Sequence, residues 1–424
     1  MTGGRATIQL SRRFYLIVVL SLVTLGTGMA TGYALFYRLL YVLILTGVLS
    51  YLWSWLTMRS MEVTVHRRAR QVSVGDSVEE EITVRNLSAL PKHALEVQDT
   101  TDLPVVSTGM VVGLRGGSSG WWRIQTTPRT RGVYTLGPLR VSNVDPFGIF
   151  RRERYFGDKD TLTVFPRAFD LPGFKVPAAD IMGDSSIHRR THIIAPHAST
   201  VREYEAGDSL SRVHWNTTAR MGKLMSKEFD LGRAAEIWVL LDLHGDVRAG
   251  ELEESTDEYG ASVAASLARR YVGAHLPVGL LAYGDQRYFL PAETGSSHLE
   301  RVLFYLAMAR AEGDTPLGVV LPKEELLWTH QSSLVVITSS PNPEWVVALG
   351  ELSKRGIKVL VVLIDGESFG GDLDASDVIA AMYSRGLSTH VVRRGEDIPT
   401  ALSRLDNTSV ASEGVRLEEV LSTG

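Results

Sequence analysis

EIWVLLD, residues 236–242, is a nearly continuous apolar run that ends in an aspartate. Such a run is typical of a strand that is buried on both faces of a parallel sheet. Similar runs follow it along the chain, and stretches with helical periodicity separate them. Strands that alternate with helices predict a doubly wound α/β domain, to which we assign residues 234–410.

The elements predicted for this domain alternate along its length. Strands are predicted at Ile237–Leu243, Val278–Tyr283, Leu334–Thr338, Lys358–Ile364 and His390–Arg393. Helices are predicted between them, at Ser255–Ala274, Ser297–Ala311, Glu344–Arg355 and Ala375–Ser384. Gln286–Leu290 follows the turn signal Gly284–Asp285 and predicts one antiparallel edge hairpin.

A polar segment runs shortly before the first of these strands. VREYEAGDSLSRVHWNTTAR, residues 201–220, is rich in hydrogen-bonding groups and also holds aromatic side chains. The stretch resembles the signature of a bacterial family called domain of unknown function fifty-eight. The residues that carry the resemblance are Arg202, Glu203, Tyr204, Gly207, Asp208, Arg212, His214, Trp215, Ala219 and Arg220. We assign residues 171–233 to this signature segment.

Two roles for the signature stay open. Asp208 and Arg212 have the i, i+4 spacing at which side chains on a helix pair, so the segment can have a structural role and lock the α/β domain onto the domain before it. Arginine and tryptophan are also enriched in interface hot spots. The alternative is therefore that Trp215 and Arg220 belong to a face that docks a partner.

The resemblance covers most of the chain and implies a von Willebrand factor type A-like fold for the C-terminal domain. In functional members, the first strand ends in Asp-x-Ser-x-Ser, and later loops complete a site for Mg²⁺ or Mn²⁺ beyond the carboxyl ends of the strands. Here Asp242 matches the aspartate, but His244 and Asp246 replace both serines. Thr315 is the candidate threonine. Asp242 and Thr315 are therefore the candidate ligands of a degenerate site. We expect no cofactor and a solvated loop here, and Mg²⁺ or Mn²⁺ bound at these two residues is the alternative.

Two uncharged apolar runs predict a membrane-spanning helical hairpin at residues 14–58, after an N-terminal tail, residues 1–13. Phe14–Thr31 and Leu39–Met58 would extend about 27 Å and about 30 Å as helices, close to the ~30 Å hydrocarbon core of a bilayer. Arginines flank the hairpin on both sides, and the turn carries only Arg38. The positive-inside rule then places both termini in the cytoplasm, with two spans in the inner membrane. A cleaved signal peptide and a buried hairpin of a soluble protein are the alternatives.

Residues 59–170 have short alternating runs that predict a small β-sandwich. Turn signals separate strands predicted at Met61–Val65, Glu81–Val84, Trp122–Gln125 and Leu139–Val141. The turn-forming stretch DPFGIF, residues 145–150, follows the last of these strands. We expect Phe147 and Phe150 in this stretch to be apolar plugs with a structural role.

Composition excludes several classes of chemistry. The chain has no cysteine, so thiol nucleophiles and cysteine-ligated metals are ruled out. A net charge of -4, without a basic run interleaved with aromatics, predicts no nucleic-acid partner. No phosphate-binding loop of the Gly-x-x-x-x-Gly-Lys-Ser/Thr type occurs. Asp208, Ser211 and His214 suggest a catalytic triad, but neighbours on one loop rarely reach the required geometry, so we predict no enzymatic activity.

The resemblance also implies a function. Related proteins are typically encoded near MoxR-type AAA+ ATPases and membrane transglutaminase-like proteins, so both are the expected partners besides the lipid bilayer. The expected role is a membrane-anchored, cytoplasm-facing adaptor or scaffold that acts with such an ATPase in protein or envelope assembly. A metal-dependent protein-binding module of the adhesion type is the alternative, and a hydrolase that uses His214 is the weakest one. Residues 411–424 are predicted to be a C-terminal tail.

Overall fold

The structure of the protein is a computed structural model that describes residues 7–104, 109–172, 174, 198–204, 213–229, 236–330, 332–372 and 374–404. Two compact units divide the chain. One unit is Met1–Arg167 with Leu303–Met308, and the other is Ala168–Val302 with Ala309–Gly424. The predicted C-terminal tail and parts of the signature segment lie outside the described residues.

The first unit begins with a short strand and two apolar helices. Strand β1 is Thr7–Leu10, helix α1 is Arg12–Thr31 and helix α2 is Ala34–Met58. Both helices are long and apolar enough to cross a membrane. The turn between them is shorter than predicted, because α2 begins at Ala34 rather than at Leu39. Gly32 ends α1 in the left-handed conformation, which glycine adopts without steric cost.

Ten further strands follow the helices in this unit. They are β2 (Met61–Arg67), β3 (Gln71–Ser73), β4 (Val78–Asn86), β5 (Lys92–Asp99), β6 (Met110–Leu114), β7 (Ser119–Thr126), β8 (Gly132–Leu136), β9 (Leu139–Val144), β10 (Phe150–Phe156) and β11 (Asp160–Phe165). They form sheets of order β1-β10-β9-β5-β6, β2-β4-β7 and β3-β11-β8. The first two sheets are antiparallel throughout, whereas β3 pairs with β11 in parallel.

The two antiparallel sheets share one apolar core. Val63 and Val84 of β2 and β4 belong to the same buried cluster as Val97 and Val141 of β5 and β9. Met58, the last residue of α2, also lies in this cluster. The two sheets therefore pack face to face, in the arrangement of a β-sandwich.

The N-terminal tail differs from the prediction. β1 lies before α1 in sequence, yet it pairs antiparallel with β10, so that Leu10 is opposite Phe150. Phe150 is buried as predicted, but the prediction that Phe147 is an apolar plug is wrong, because this side chain is 55% exposed. Both findings depend on contacts between segments that are far apart in sequence.

The second unit contains the signature segment and a six-stranded sheet. Its elements are β12 (Ala198–Glu203), α3 (Trp215–Met221), β13 (Met225–Phe229), β14 (Ile237–Asp242), β15 (Gly250–Glu251), β16 (Glu254–Ser255), α4 (Thr256–Gly273), β17 (Val278–Tyr283), β18 (Arg287–Glu293), α5 (Ser296–Met308), α6 (Leu317–Lys323), β19 (Ser333–Thr338), α7 (Glu344–Lys354), β20 (Lys358–Ile364), α8 (Ser376–Ser384), β21 (Ser388–Val392) and α9 (Ile398–Ser403). Only the first part of α5 belongs to this unit, because Leu303–Met308 is grouped with the first one. The sheet has the order β18-β17-β14-β19-β20-β21.

Helices cover both faces of this sheet. Trp238 and Leu240 of β14 share a buried cluster with residues of α6, α7 and α8. Leu241 points to the other face, where it approaches Gly260 of α4. All strand pairs are parallel except β17 with β18. The predicted strands of this sheet and the antiparallel edge hairpin are thus confirmed. β17 and β20 have the predicted bounds, and the ends of the other strands shift by at most three residues.

Candidate functional site

The described part of the signature forms a small module in which α3 follows β12 and precedes β13. β12 and β13 pair antiparallel. The backbone N of His214 donates a hydrogen bond to Met225 O at 2.8 Å, and that of Tyr204 donates one to Leu224 O at 2.9 Å. These backbone bonds hold the start of α3 and the chain after β12 against the first residues of β13.

His214 caps the N-terminus of α3. Its Nδ1 accepts a hydrogen bond from Thr217 N at 3.2 Å and lies 2.9 Å from Thr217 Oγ1. One of the amide groups that a helix leaves unpaired at its start is satisfied in this way. His214 therefore has a structural partner on its own helix. Asp208 and Ser211 lie outside the described residues, so the prediction that they form no catalytic triad with His214 stays a prediction.

Trp215, the first residue of α3, is 65% exposed. Met221 at the end of the same helix and Leu224 just after it are exposed as well. Arg220 and Ala219 are exposed on the same short helix, and Lys223 forms an ion pair with Glu203 at 3.2 Å. The module thus exposes a large aromatic ring at the start of α3 and the basic side chain of Arg220 near its end. Arg202 belongs to β12, and Gly207, Asp208 and Arg212 lie outside the described residues.

A second cluster of polar groups, outside the signature segment, lies where strands β14 and β19 end. Asp242 Oδ2 accepts a hydrogen bond from Thr338 Oγ1 at 2.7 Å, and Asp242 Oδ1 accepts one from His244 N at 3.1 Å. Burial is the largest influence on the Asp242 carboxyl and raises its pKa, although the bond from Thr338 opposes this shift. The carboxyl ends of parallel strands are the usual place for a ligand in such a sheet.

A small pocket opens beside Asp242. Its polar lining includes Arg248 and Asp257, whose Nε and Oδ1 atoms are 3.0 Å apart, and Ser339, which donates to Val247 O at 2.8 Å. These polar groups already have protein partners. Among the described residues, no group of three or more His, Asp or Glu side chains is arranged to hold a metal ion.

Thr315 does not line this pocket. Its hydroxyl donates to the neighbouring Asp314 Oδ1 at 3.1 Å, whereas Thr338 supplies the hydroxyl that contacts Asp242. Gly313 lies next to the site, because its N donates to the backbone O of Leu243 at 3.1 Å and Leu243 lines the pocket. In the sequence, Thr338 ends a predicted strand and stands where a later aspartate of the type A motif was expected, but its contact with Asp242 was not predicted. Its place beside β14 was the missing information.

The fold and these polar clusters define a protein with two apolar helices, a β-sandwich and a doubly wound α/β region. Residues 200–368 match the family described as "Protein of unknown function DUF58". A Bacillus subtilis (strain 168) protein, "Uncharacterized protein YeaD", is 24% identical over 355 residues, which cover 80% of this chain and 84% of that protein. The family match spans the signature and five strands of the six-stranded sheet, β14, β17, β18, β19 and β20.

Solved structures resemble smaller parts of the chain. A CARDB domain from Pyrococcus furiosus, solved with two metal ions, has 14% identity and a TM-score of 0.18, over 24% of this chain and 91% of that one. The C-terminal domain of wzt has 10% identity and a TM-score of 0.20, over 25% of this chain and 73% of that one. Similarity at this level supports no conclusion about function.

Proposed function

We propose that the protein is a membrane-anchored adaptor that binds a protein partner through the signature module. The single observation that carries the proposal is the exposure of Trp215 on a helix whose start is already capped by His214. Burial of an exposed indole ring by a partner contributes roughly 2 kcal/mol of hydrophobic free energy to binding. Trp and Arg are the residues that most often dominate such interfaces.

The partner class comes from the family resemblance. A MoxR-type AAA+ ATPase is the proposed partner, with a membrane transglutaminase-like protein as a second component of the assembly. The match to a family of unknown function is consistent with this assignment but assigns no partner. The adaptor is proposed to have no catalytic activity of its own.

The membrane arrangement is part of the proposal. α1 and α2 have the length and composition of spans, and the arginines that flank them support an orientation with both termini in the cytoplasm. Protease accessibility of a C-terminal tag in inverted membrane vesicles tests this orientation. A tag that stays protected there contradicts it.

The α/β region is proposed to be von Willebrand factor type A-like. Five parallel strands with one antiparallel edge strand, and a buried aspartate where β14 ends, support the proposal. Such a domain suits an adaptor, because the loops beyond the strand ends supply a recognition surface on a rigid scaffold.

Affinity purification from gentle detergent, with the ATPase held in a nucleotide-bound state, tests the adaptor. We expect Trp215→Ala to reduce recovery of the ATPase by about tenfold, which corresponds to roughly 1.4 kcal/mol of binding free energy. Trp121→Ala is the matched control, since Trp121 is 64% exposed on β7 in the other unit. Equal recovery from both variants would overturn the role of the signature module, and no ATPase from the wild type would overturn the partner.

A second candidate function is a metal-dependent protein-binding module of the adhesion type. The buried carboxylate of Asp242 beside the hydroxyls of Thr338 and Ser339 favours it, because oxygen ligands suit Mg²⁺ and Mn²⁺. Calorimetry with both ions on the wild type, Asp242→Ala and Thr315→Ala tests it. Binding heat that disappears in Asp242→Ala and persists in Thr315→Ala, whose side chain does not line the pocket, supports a metal site beside Asp242. Equal heats in all three proteins exclude one there.

A further inference from the structure

The turn Asp145–Phe150 is held rigidly by its first residue. Asp145 is buried, and its carboxylate accepts hydrogen bonds from Phe147 N at 2.9 Å, Ile149 N at 2.8 Å and Phe150 N at 2.6 Å. Gly148 N donates to Asp145 O at 2.9 Å. The backbone of the turn is therefore fixed, although the side chain of Phe147 at its tip faces outward.

This turn is attached to the beginning of α1. Ser11 N donates to Ile149 O at 3.1 Å, and Ser11 Oγ donates to Gly148 O at 2.6 Å. Arg13 Nη1 donates to Phe147 O at 2.9 Å. The first helix and the turn consequently keep a fixed spacing.

The ring contacts of Phe150 show where the turn Asp145–Phe150 lies along the two helices of the hairpin. Its ring is 5.7 Å from the ring of Phe14 on α1 and 5.8 Å from that of Tyr51 on α2. Each of these helix residues lies eighteen positions from the hairpin turn, which is about 27 Å along a helix. If the hairpin crosses a bilayer with a hydrocarbon core of ~30 Å, Phe14 and Tyr51 lie at the edge of that core. The turn Asp145–Phe150 then lies at the same level, because Phe150 contacts both residues.

The residues around this level suit a lipid surface. Leu10 of β1 and Phe147 are exposed apolar side chains, although neither belongs to a membrane helix. Arg12 and Arg13 are exposed beside them. Asp145 is the one acidic residue in segments 7–15 and 144–150, and its charge is enclosed by three amide groups. Exposed apolar groups with arginines and no exposed carboxylate are typical of a surface that meets phospholipid headgroups.

We propose that the edge of the β-sandwich formed by β1 and the turn Asp145–Phe150 is itself a lipid-binding surface. Leu10 and Phe147 enter the interfacial layer of the bilayer, while Arg12 and Arg13 contact lipid phosphates. The β-sandwich is then seated on the membrane rather than tethered above it. This inference rests on the proposed membrane anchoring by α1 and α2.

The absence of cysteine from the chain makes a direct test available. Spin labels are attached to single cysteines in the full-length protein in phospholipid nanodiscs, in the variants Phe147→Cys, Leu10→Cys, Val42→Cys and Val111→Cys. Relaxation by oxygen, which enters lipid, is compared with relaxation by a water-soluble nickel chelate. Val111 is the matched water control, because it is an exposed apolar residue on β6, the opposite edge strand of the same sheet. Val42 on α2 is the lipid control.

We expect labels at Phe147 and Leu10 to give oxygen-to-nickel ratios several-fold above that at Val111 and below that at Val42. Ratios equal to that at Val111, with Val42 in lipid, overturn the lipid-binding surface and leave the anchoring intact. Nickel access at Val42 equal to that at Val111 overturns the membrane anchoring and the inference together. All four positions are exposed, so the substitutions remove no core contact.

Discussion

Thr338→Val removes the hydroxyl that donates to the buried Asp242 and keeps the shape of the side chain. Thr338 Oγ1 also accepts a hydrogen bond from Ser340 N at 2.9 Å, so the variant loses two bonds. A hydrogen bond to a charged group contributes about 1.5–3 kcal/mol, and a neutral one about 1 kcal/mol. Because valine leaves no cavity, we expect the free energy of unfolding to fall by roughly 2–4 kcal/mol at neutral pH.

The effect depends on pH in a defined direction. Burial raises the pKa of Asp242, and the bond from Thr338 partly offsets this rise, so the variant raises the pKa further. A group with a raised folded-state pKa contributes stability that is fully present below its unfolded pKa and is lost as pH rises through the folded pKa. In Thr338→Val this loss continues to higher pH. The gap between wild type and variant therefore widens from acidic to neutral pH.

Chemical unfolding of the full-length protein in detergent, followed by tryptophan fluorescence, measures this gap at about pH 5 and about pH 7.5. Thr315→Val is the matched control, since the Thr315 hydroxyl bonds only its neighbour Asp314 among the described residues. We expect this control to change stability by less than about 0.5 kcal/mol. Equal losses in the two variants, or a loss in Thr338→Val that is the same at both pH values, would refute the reasoning.

Two further substitutions each test one buried charged residue, Lys92 in the first unit and Glu324 in the second. Lys92 Nζ donates to Thr57 O at 2.5 Å and to Arg59 O at 2.6 Å, so Lys92→Met should lower stability by about 1–3 kcal/mol by leaving these carbonyls unpaired. Burial lowers the pKa of Lys92 to about 8. The stability of the wild type relative to the variant should therefore rise by up to ~1.4 kcal/mol per pH unit between about pH 8 and 10.5. Parallel stability profiles of the two proteins over this range would contradict the prediction. Glu324 accepts from Arg287 Nε at 2.7 Å and Nη2 at 2.9 Å, and this pairing lowers the Glu324 pKa. Glu324→Gln should cost about 1 kcal/mol at neutral pH, since Arg287 is partly exposed, and the loss should fade as acid protonates wild-type Glu324; urea titrations that show no change at neutral pH would exclude the pairing as a source of stability.

Apolar periodicity was sufficient for the strands of the six-stranded sheet and for the longer helices of the α/β region. β17 and β20 have the predicted bounds of Val278–Tyr283 and Lys358–Ile364, because strands buried on both faces have few polar residues to blur their ends. The helix predicted at Ser255–Ala274 also forms, at Thr256–Gly273. The short helices α6 and α9 were missed, since six or seven residues carry too little periodicity to be recognised.

The site was less predictable than the fold. Asp242 was chosen because it ends the first strand where the type A motif has an aspartate, and it does lie buried at the carboxyl end of β14. Thr315 was chosen as its partner by analogy with a motif, whereas the hydroxyl in contact belongs to Thr338. The exposure of Trp215 was equally invisible, because its sequence neighbours do not show whether other segments cover it.

The sequence by itself determined two apolar helices, a region of short strands and a strand–helix alternation, because each of these is recorded in local hydrophobic periods. The tertiary structure alone decided the neighbours. β19 lies beside β14 although β17 and β18 come between them in the chain, and this order brings Thr338 to Asp242. β1 likewise pairs with β10, although the two helices and most of the β-sandwich strands come between them in the chain. Such pairings depend on the burial of whole faces against each other, and no local pattern contains that information.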